Sequence, residues 1–162
     1  MKPPAELLRE SVSSGLPLLE RIGDAASAQP RAPGKWSPRE VIGHLIDSAA
    51  NNHGRFVRAQ LAQDLVFPGY AQEEWVRVQG YRAAPWTELV ALWRSYNLQL
   101  ARVIEAISED DLRRPRSRHN FHELGWRRFS ESQPATLEDL IVDYVLHLRH
   151  HLEQVVALPS AK

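Results

Sequence analysis

The stretch Trp36-Ser37-Pro38-Arg39-Glu40-Val41 carries the clearest structural signal in the chain. Ser37 can accept the backbone N–H of Glu40 while the Glu40 carboxylate reaches back to the N–H of Ser37, the reciprocal capping box that starts a helix. Pro38 stands at the first helical position, where its fixed φ suits the helix and its missing N–H costs nothing. Trp36 and Val41 flank the box as a hydrophobic staple. Beyond it, Val41, Ile42, Leu45, Ala49 and Phe56 recur on one face, which predicts a helix from about Pro38 to Gln63.

On the N-terminal side, Leu8, Val12, Leu16, Leu19 and Ile22 are spaced by three or four, so a first helix is expected from about Pro4 to Ile22, weakened or kinked by Gly15 and Pro17. Ala25 to Lys35 reads as a loop. On the C-terminal side, Asp64 to Pro85 is a long connection anchored by Phe67, Tyr70, Trp75 and Tyr81, with a short helix expected over Gln72 to Val78. Trp86, Leu89, Val90, Trp93, Leu100, Val103, Ile104 and Ile107 give a third long helix, about Trp86 to Ile107. Leu112 to Pro134 is Arg-rich and irregular. A last helix starts at Thr136, with Asp139 in the box position, and ends before Pro159. No segment reads as a strand. The fold class expected is all-α, four helices around a shared core.

The 162 residues suit one domain able to bury roughly 70% of its unfolded surface. Lys plus Arg is 20 and Asp plus Glu is 20, a balance that argues against nucleic acid or an acidic membrane as partner. The N-terminus shows no signal-peptide pattern and no run approaches a membrane span, so a cytoplasmic protein is expected. With no cysteine, disulfides, thiolate metal sites and a cysteine nucleophile are excluded.

Seven histidines remain. On the last helix, His151 lies roughly 55° and His147 roughly 95° from the centre of the apolar face, and His150 roughly 155°, facing solvent. His147 and His151 are thus i, i+4 neighbours that can reach one metal ion, or simply form a polar edge. Asp143, one turn earlier, is either a hydrogen-bond acceptor behind His147 or a solvated aspartate. On the second helix, His44, Asp47, Ser48, Asn51 and Arg55 form a polar stripe that faces either solvent or a cleft. The wheel alone favours His53 over His44 as the buried histidine.

The run Gly34-Lys35-Trp36-Ser37-Pro38-Arg39-Glu40-Val41-Ile42-Gly43-His44-Leu45-Ile46-Asp47-Ser48, followed by Asn51, Arg55 and Phe56, resembles the DinB-like superfamily. It is most similar to the bacillithiol-transferase-like, metal-dependent hydrolase branch. That branch pairs a histidine in such an HxxDSxxNxxxRF helix with an HxxHH motif in the last helix, here His147-Leu148-Arg149-His150-His151. The Pro68 to Trp75 segment, with Tyr70 between, is also similar, and the resemblance covers nearly the whole chain. It implies a single domain over residues 1–162, a four-helix bundle in up-down-down-up order, and a homodimer. It also implies a divalent metal, zinc or nickel above all, held by His44, His147 and His151. Arg113 to Arg128 departs from the branch, with six arginines plus His119 and His122; it reads as a solvated loop or partner surface. His119 and His122 lack a third ligand for a second metal site.

Three neutral imidazoles leave a coordination position open on the ion. Such a site suits transfer of a low-molecular-weight thiol, as cosubstrate, to a small electrophilic substrate, with Ser48, Asn51 and Arg55 orienting the polar or anionic thiol. Hydrolysis is the alternative, with Asp47, Glu73 and Glu74 as candidate proton carriers. A stress-associated metal-binding dimer without catalysis is the third reading.

Overall fold

The computed structural model describes residues 2–156. Its helices are α1 (Pro4–Glu20), α2 (Asp24–Ser27), α3 (Pro38–Leu61), α4 (Gln72–Gln79), α5 (Trp86–Glu105), α6 (Glu109–Arg113), α7 (Phe121–Leu124) and α8 (Leu137–Glu153), with a 3₁₀ turn at Tyr81–Ala83. Among the described residues there is no strand, only isolated bridges between Leu65 and His119 and between Arg116 and Ala135. Pro159, the expected stop signal of the last helix, lies outside the described residues.

Both helices that matter for function begin where the sequence places them. The Ser37 N–H donates to Glu40 Oε2 at 2.8 Å and Ser37 Oγ accepts from the Glu40 N–H at 3.4 Å. Thr136 and Asp139 form the same box, with the Thr136 N–H donating to Asp139 Oδ2 at 2.8 Å. A cap of this kind stabilises by about 1 kcal/mol and, more usefully here, fixes the helical phase of every residue downstream. Helix α1 continues through Gly15 and Pro17; a Cβ at Gly15 would stand 2.7 Å from Leu152, so this glycine lets α8 approach closely.

The long helices α1, α3, α5 and α8 surround a core whose largest fully buried side chains include Trp93, Phe56, Leu45 and Leu140. Their directions follow from residue pairs. Arg9 pairs with Glu105 at 2.6 Å and the Trp86 indole donates to the Leu19 carbonyl at 3.1 Å, so α1 and α5 are antiparallel. Arg149 donates to Ser11 at 3.0 Å and Leu152 lies against Gly15, so α8 runs parallel to α1. His44 meets His151, with ring centroids 4.8 Å apart, and Phe56 meets Tyr144 at 5.7 Å, so α3 is antiparallel to α8. His53 lies beside Tyr96, and Arg39 donates to the carbonyl of Arg82 just before α5, so α3 and α5 are parallel.

The two irregular segments are tied to each other. The Leu65 N–H donates to Arg118 O, and the Asn120 side chain both accepts from the Phe67 N–H and donates to Phe67 O. Phe67 and Tyr81 are buried, so these two rings anchor the connection in this chain's own core. The Arg-rich segment is anchored by fully buried Phe121, and most of its arginines pair with carboxylates of this chain. Arg113 pairs with Glu109, Arg114 with Asp111, Arg118 with Asp64 and Arg127 with Asp143. His119 is buried as a structural residue, its Nε2 facing the Gln133 carbonyl at 2.8 Å while Nδ1 accepts from the Phe121 N–H. Among the described residues no helix is long and apolar enough to cross a membrane.

Gly43 leaves room for the Tyr81 ring. A Cβ there would lie 2.2 Å from the Tyr81 ring, and Tyr81 donates its hydroxyl to Asp47 at 2.6 Å. Gly43→Ala is expected to displace Tyr81 and to lower stability by about 1–3 kcal/mol, the usual range for overpacking, read from the urea midpoint.

Candidate metal centre

Helix α3 is covered by α5 on one side and α8 on the other, so its polar stripe is buried rather than solvated. His44, Asp47, Ser48 and Arg55 are all less than a tenth exposed. That is why the wheel misjudged the histidines. A single apolar face does not describe a helix buried on two sides, and His44 is fully buried while His53 is only half-buried.

Across the α3–α8 contact, His44 Nε2 lies 3.1 Å from His147 Nε2. The His147 and His151 rings are 4.5 Å apart, as expected of i, i+4 neighbours. One nitrogen from each of His44, His147 and His151 falls within 4.8 Å of the others, and among the described residues this is the one such cluster of His, Cys, Asp or Glu. Tetrahedral zinc–imidazole geometry needs nitrogens about 3.3 Å apart, so the cluster fits a divalent ion with small rotations of the outer ring. The ligand chemistry fits as well. Burial, helped by the neighbouring imidazoles, pushes His44 down to about 4 and His147 down to about 3, and burial also lowers His151. All three therefore offer neutral lone pairs at neutral pH. His44 Nδ1 is buried without a partner. Trp36, from the helix cap, packs its ring 5.1 Å from that of His44. His150 is exposed, as expected, with Trp126 against its ring at 5.1 Å.

Asp143 fills neither of its expected roles. It is buried, and it accepts from the N–H of Trp126 at 2.9 Å and from the N–H and Nε of Arg127 at 2.8 and 3.1 Å. It pins the Arg-rich strap over the edge of the histidine cluster and so positions Trp126. Asp47 also serves a connection: one oxygen accepts from Tyr81 and Gln79, which ties the segment after α4 to α3. Burial raises its pKa against those bonds. Glu74 pairs with Arg77 at the surface.

Two clefts reach the cluster. The first, about 230 Å³, is polar and lies between α3, α8, Tyr70 and the Trp126 strap; Ser48, Asn52, Arg55, His147 and His151 line it. The second is wider and bounded by Arg31, Lys35 and Trp36, with His151 and Gln72 common to both. Of the stripe residues expected to orient a ligand, Ser48 and Arg55 border the first cleft. Asn51 instead donates to the Asp47 carbonyl at 2.9 Å, and Asn52 takes the place beside the cleft. The sequence held that signal, since Asn52 follows Ser48 by four residues and precedes Arg55 by three. Tyr70 had no role assigned from sequence; burial pushes its hydroxyl up to about 12, so it stays protonated.

Residues 8–155 match the DinB superfamily. The chain belongs to that superfamily. A metal-dependent hydrolase so named provisionally, YfiT of Bacillus subtilis (strain 168), is 21% identical over 140 residues, 86% of this chain and 73% of its own length. A protein of Geobacillus thermodenitrificans (strain NG80-2) with the same provisional description is 22% identical over 98% of this chain and 90% of its own. The solved structure of YfiT, described as a probable metal-dependent hydrolase of unusual four-helix bundle topology, aligns with a TM-score of 0.75 at 20% identity, covering 94% of this chain and 81% of that one. At this identity the likeness shows the four-helix bundle fold.

The unfolded chain titrates its histidines near 6.5, whereas His44 and His147 resist protonation until about 4 and about 3. Between those values the unfolded state binds protons that the folded state refuses, so stability rises with pH there. The metal-free protein is expected to lose stability steadily as pH falls below about 6.5, seen as a falling melting temperature, with no such loss from these groups above it.

Proposed function

We propose that the chain is a divalent-metal enzyme acting on a small molecule, with His44, His147 and His151 as metal ligands and zinc or nickel as the ion. The observation that carries this reading is the meeting of three neutral imidazole nitrogens within 4.8 Å beside a polar cleft lined by His147 and His151, with no fourth His, Cys, Asp or Glu in the cluster among the described residues. A divalent ion held by three uncharged ligands with a position open supplies Lewis acidity, which lowers the pKa of a bound water or thiol.

The rest is done by the chain. The capped helices α3 and α8 hold the imidazoles in phase, and burial keeps them unprotonated. Trp36 and Trp126 shield them from bulk water on two sides. The Tyr70 hydroxyl stands protonated in the cleft, so it can donate to an oxygen that gains negative charge. Asp47 is held by Tyr81 and Gln79 and Glu74 by Arg77, whereas Glu73 borders the second cleft with His151, so proton transfer falls to water, substrate or Glu73 rather than to Asp47 or Glu74.

Hydrolysis is the reading supported by the names of the relatives, and an ester or amide is the bond we propose for it. Thiol transfer is the second, favoured by one observation: two clefts converge on His151, as two substrates would require. In that case Ser48 and Arg55, with Asn51 held behind them, orient the thiol cosubstrate. We also propose a homodimer, supported by exposed Leu61, Val66 and Val78 in and around the α3–α4 connection. Light scattering at low micromolar concentration should give twice the chain mass; a monomer mass overturns it.

The wild type is expected to carry about one divalent ion per chain by elemental analysis, and His44→Ala and His147→Ala to lose at least tenfold in affinity while retaining helical content. Chelation should abolish turnover of an ester and amide panel. Conjugation of an electrophile only when bacillithiol, mycothiol or glutathione is present would select thiol transfer instead. A wild type without stoichiometric metal overturns the enzymatic readings together.

A further inference from the structure

The described structure buries Arg39, Arg55 and Arg116, and they are not equivalent. Arg39 pairs with Asp24 at 2.8 Å and Arg116 has Asp111 at 3.8 Å. Among the described residues Arg55 has no carboxylate partner. Its Nη2 donates to the Pro68 carbonyl at 3.1 Å and Nη1 to Asn52 Oδ1 at 3.4 Å, while Nε has no partner. Two neutral acceptors, one at marginal distance, do not neutralise a guanidinium that is 6% exposed. A buried charge of this kind is costly unless an anion arrives to share the site.

The surroundings say which anion. Arg55 borders the 230 Å³ cleft that Tyr70, Ser48, Asn52, His147 and His151 also line. Asp143, in the same wall, already accepts three hydrogen bonds from the strap and pairs with Arg127, so it does not compete for Arg55. Glu123 stands at the rim and disfavours a second negative charge on a ligand. One cation, a neutral hydroxyl and two small polar side chains match a planar monoanion.

We propose that this cleft is a carboxylate subsite, so that the small molecule reaching the histidine cluster carries a carboxylate held by Arg55 and Tyr70. The proposal rests on the reading of the cleft as the substrate's route to the cluster, but the subsite is tested without metal. Arg55 supplies the opposing charge, the protonated Tyr70 hydroxyl donates to one carboxylate oxygen, and Asn52, bonded to both Ser48 and Arg55, holds the guanidinium in place. The length of the cleft then sets how far from the carboxylate the reacting group stands.

The test is an NMR titration of the metal-free full chain at neutral pH with butyrate, its neutral analogue butyramide, and inorganic phosphate. Butyrate should bind at least about tenfold more tightly than butyramide, with shifts at Ser48, Asn52 and Tyr70, and phosphate no more tightly than butyrate. Arg55→Gln should abolish that preference, Arg55→Lys should keep part of it, and Tyr70→Phe should weaken butyrate a few-fold. Equal binding of butyrate and butyramide, absence of butyrate binding, or a preference unchanged in Arg55→Gln overturns the subsite. Tighter phosphate binding overturns the carboxylate assignment. Should Arg55→Gln not fold, Arg55→Lys and Tyr70→Phe decide, and an unchanged butyrate preference in both overturns it. Because no metal is present, loss of metal binding and loss of this subsite are separate results.

Discussion

The contact between α3 and α8 is the constraint on which the molecule turns. Toward the start of α3 and the end of α8 the bundle places imidazole against imidazole, His44 Nε2 at 3.1 Å from His147 Nε2, where a stability-driven core would place leucine against leucine. Two buried rings and a half-buried third, all unprotonated, are a poor choice for cohesion alone. They are tolerable because the rest of the interface is apolar: Leu45, Ala49 and Phe56 on one helix and Leu140, Tyr144 and Leu148 on the other are fully or nearly fully buried. The apolar residues hold the helices together and the histidines use the position so created.

The connections serve the same contact from outside. The segment after α3 carries Tyr70 to the cleft and is tied back to α3 through Tyr81 and Gln79 on Asp47. The strap before α8 carries Trp126 and is fixed by backbone N–H groups on Asp143. In both cases a buried aspartate of a long helix accepts hydrogen bonds from the connection, which converts a long loop into a positioned wall. This accounts for Asp47 and Asp143 being buried near the histidine cluster without joining it.

Charge is arranged at two scales. Over the whole chain the count is balanced, and the Arg-rich segment, which reads as basic in sequence, is paired with acids on α6 and α8 and at Asp64. Within the cleft the balance fails at Arg55, and that local excess says more about a ligand than the net charge does.

The sequence by itself determined the four long helices, their starting points and the i, i+4 pair on α8, because caps and periodicity are local and each is written in a few adjacent residues; the short helices α2, α6 and α7 fall in segments that read as irregular. With the resemblance it also named His44, a residue that periodicity ranked below His53. Only the tertiary structure decided which side of α3 is inside. That depends on α5 and α8 covering it together, a relation between segments some 40 to 100 residues apart along the chain that no wheel of one helix contains. The same reason explains Asn52 beside the cleft in place of Asn51, Asp143 on the strap in place of the imidazole, and the unpaired charge of Arg55.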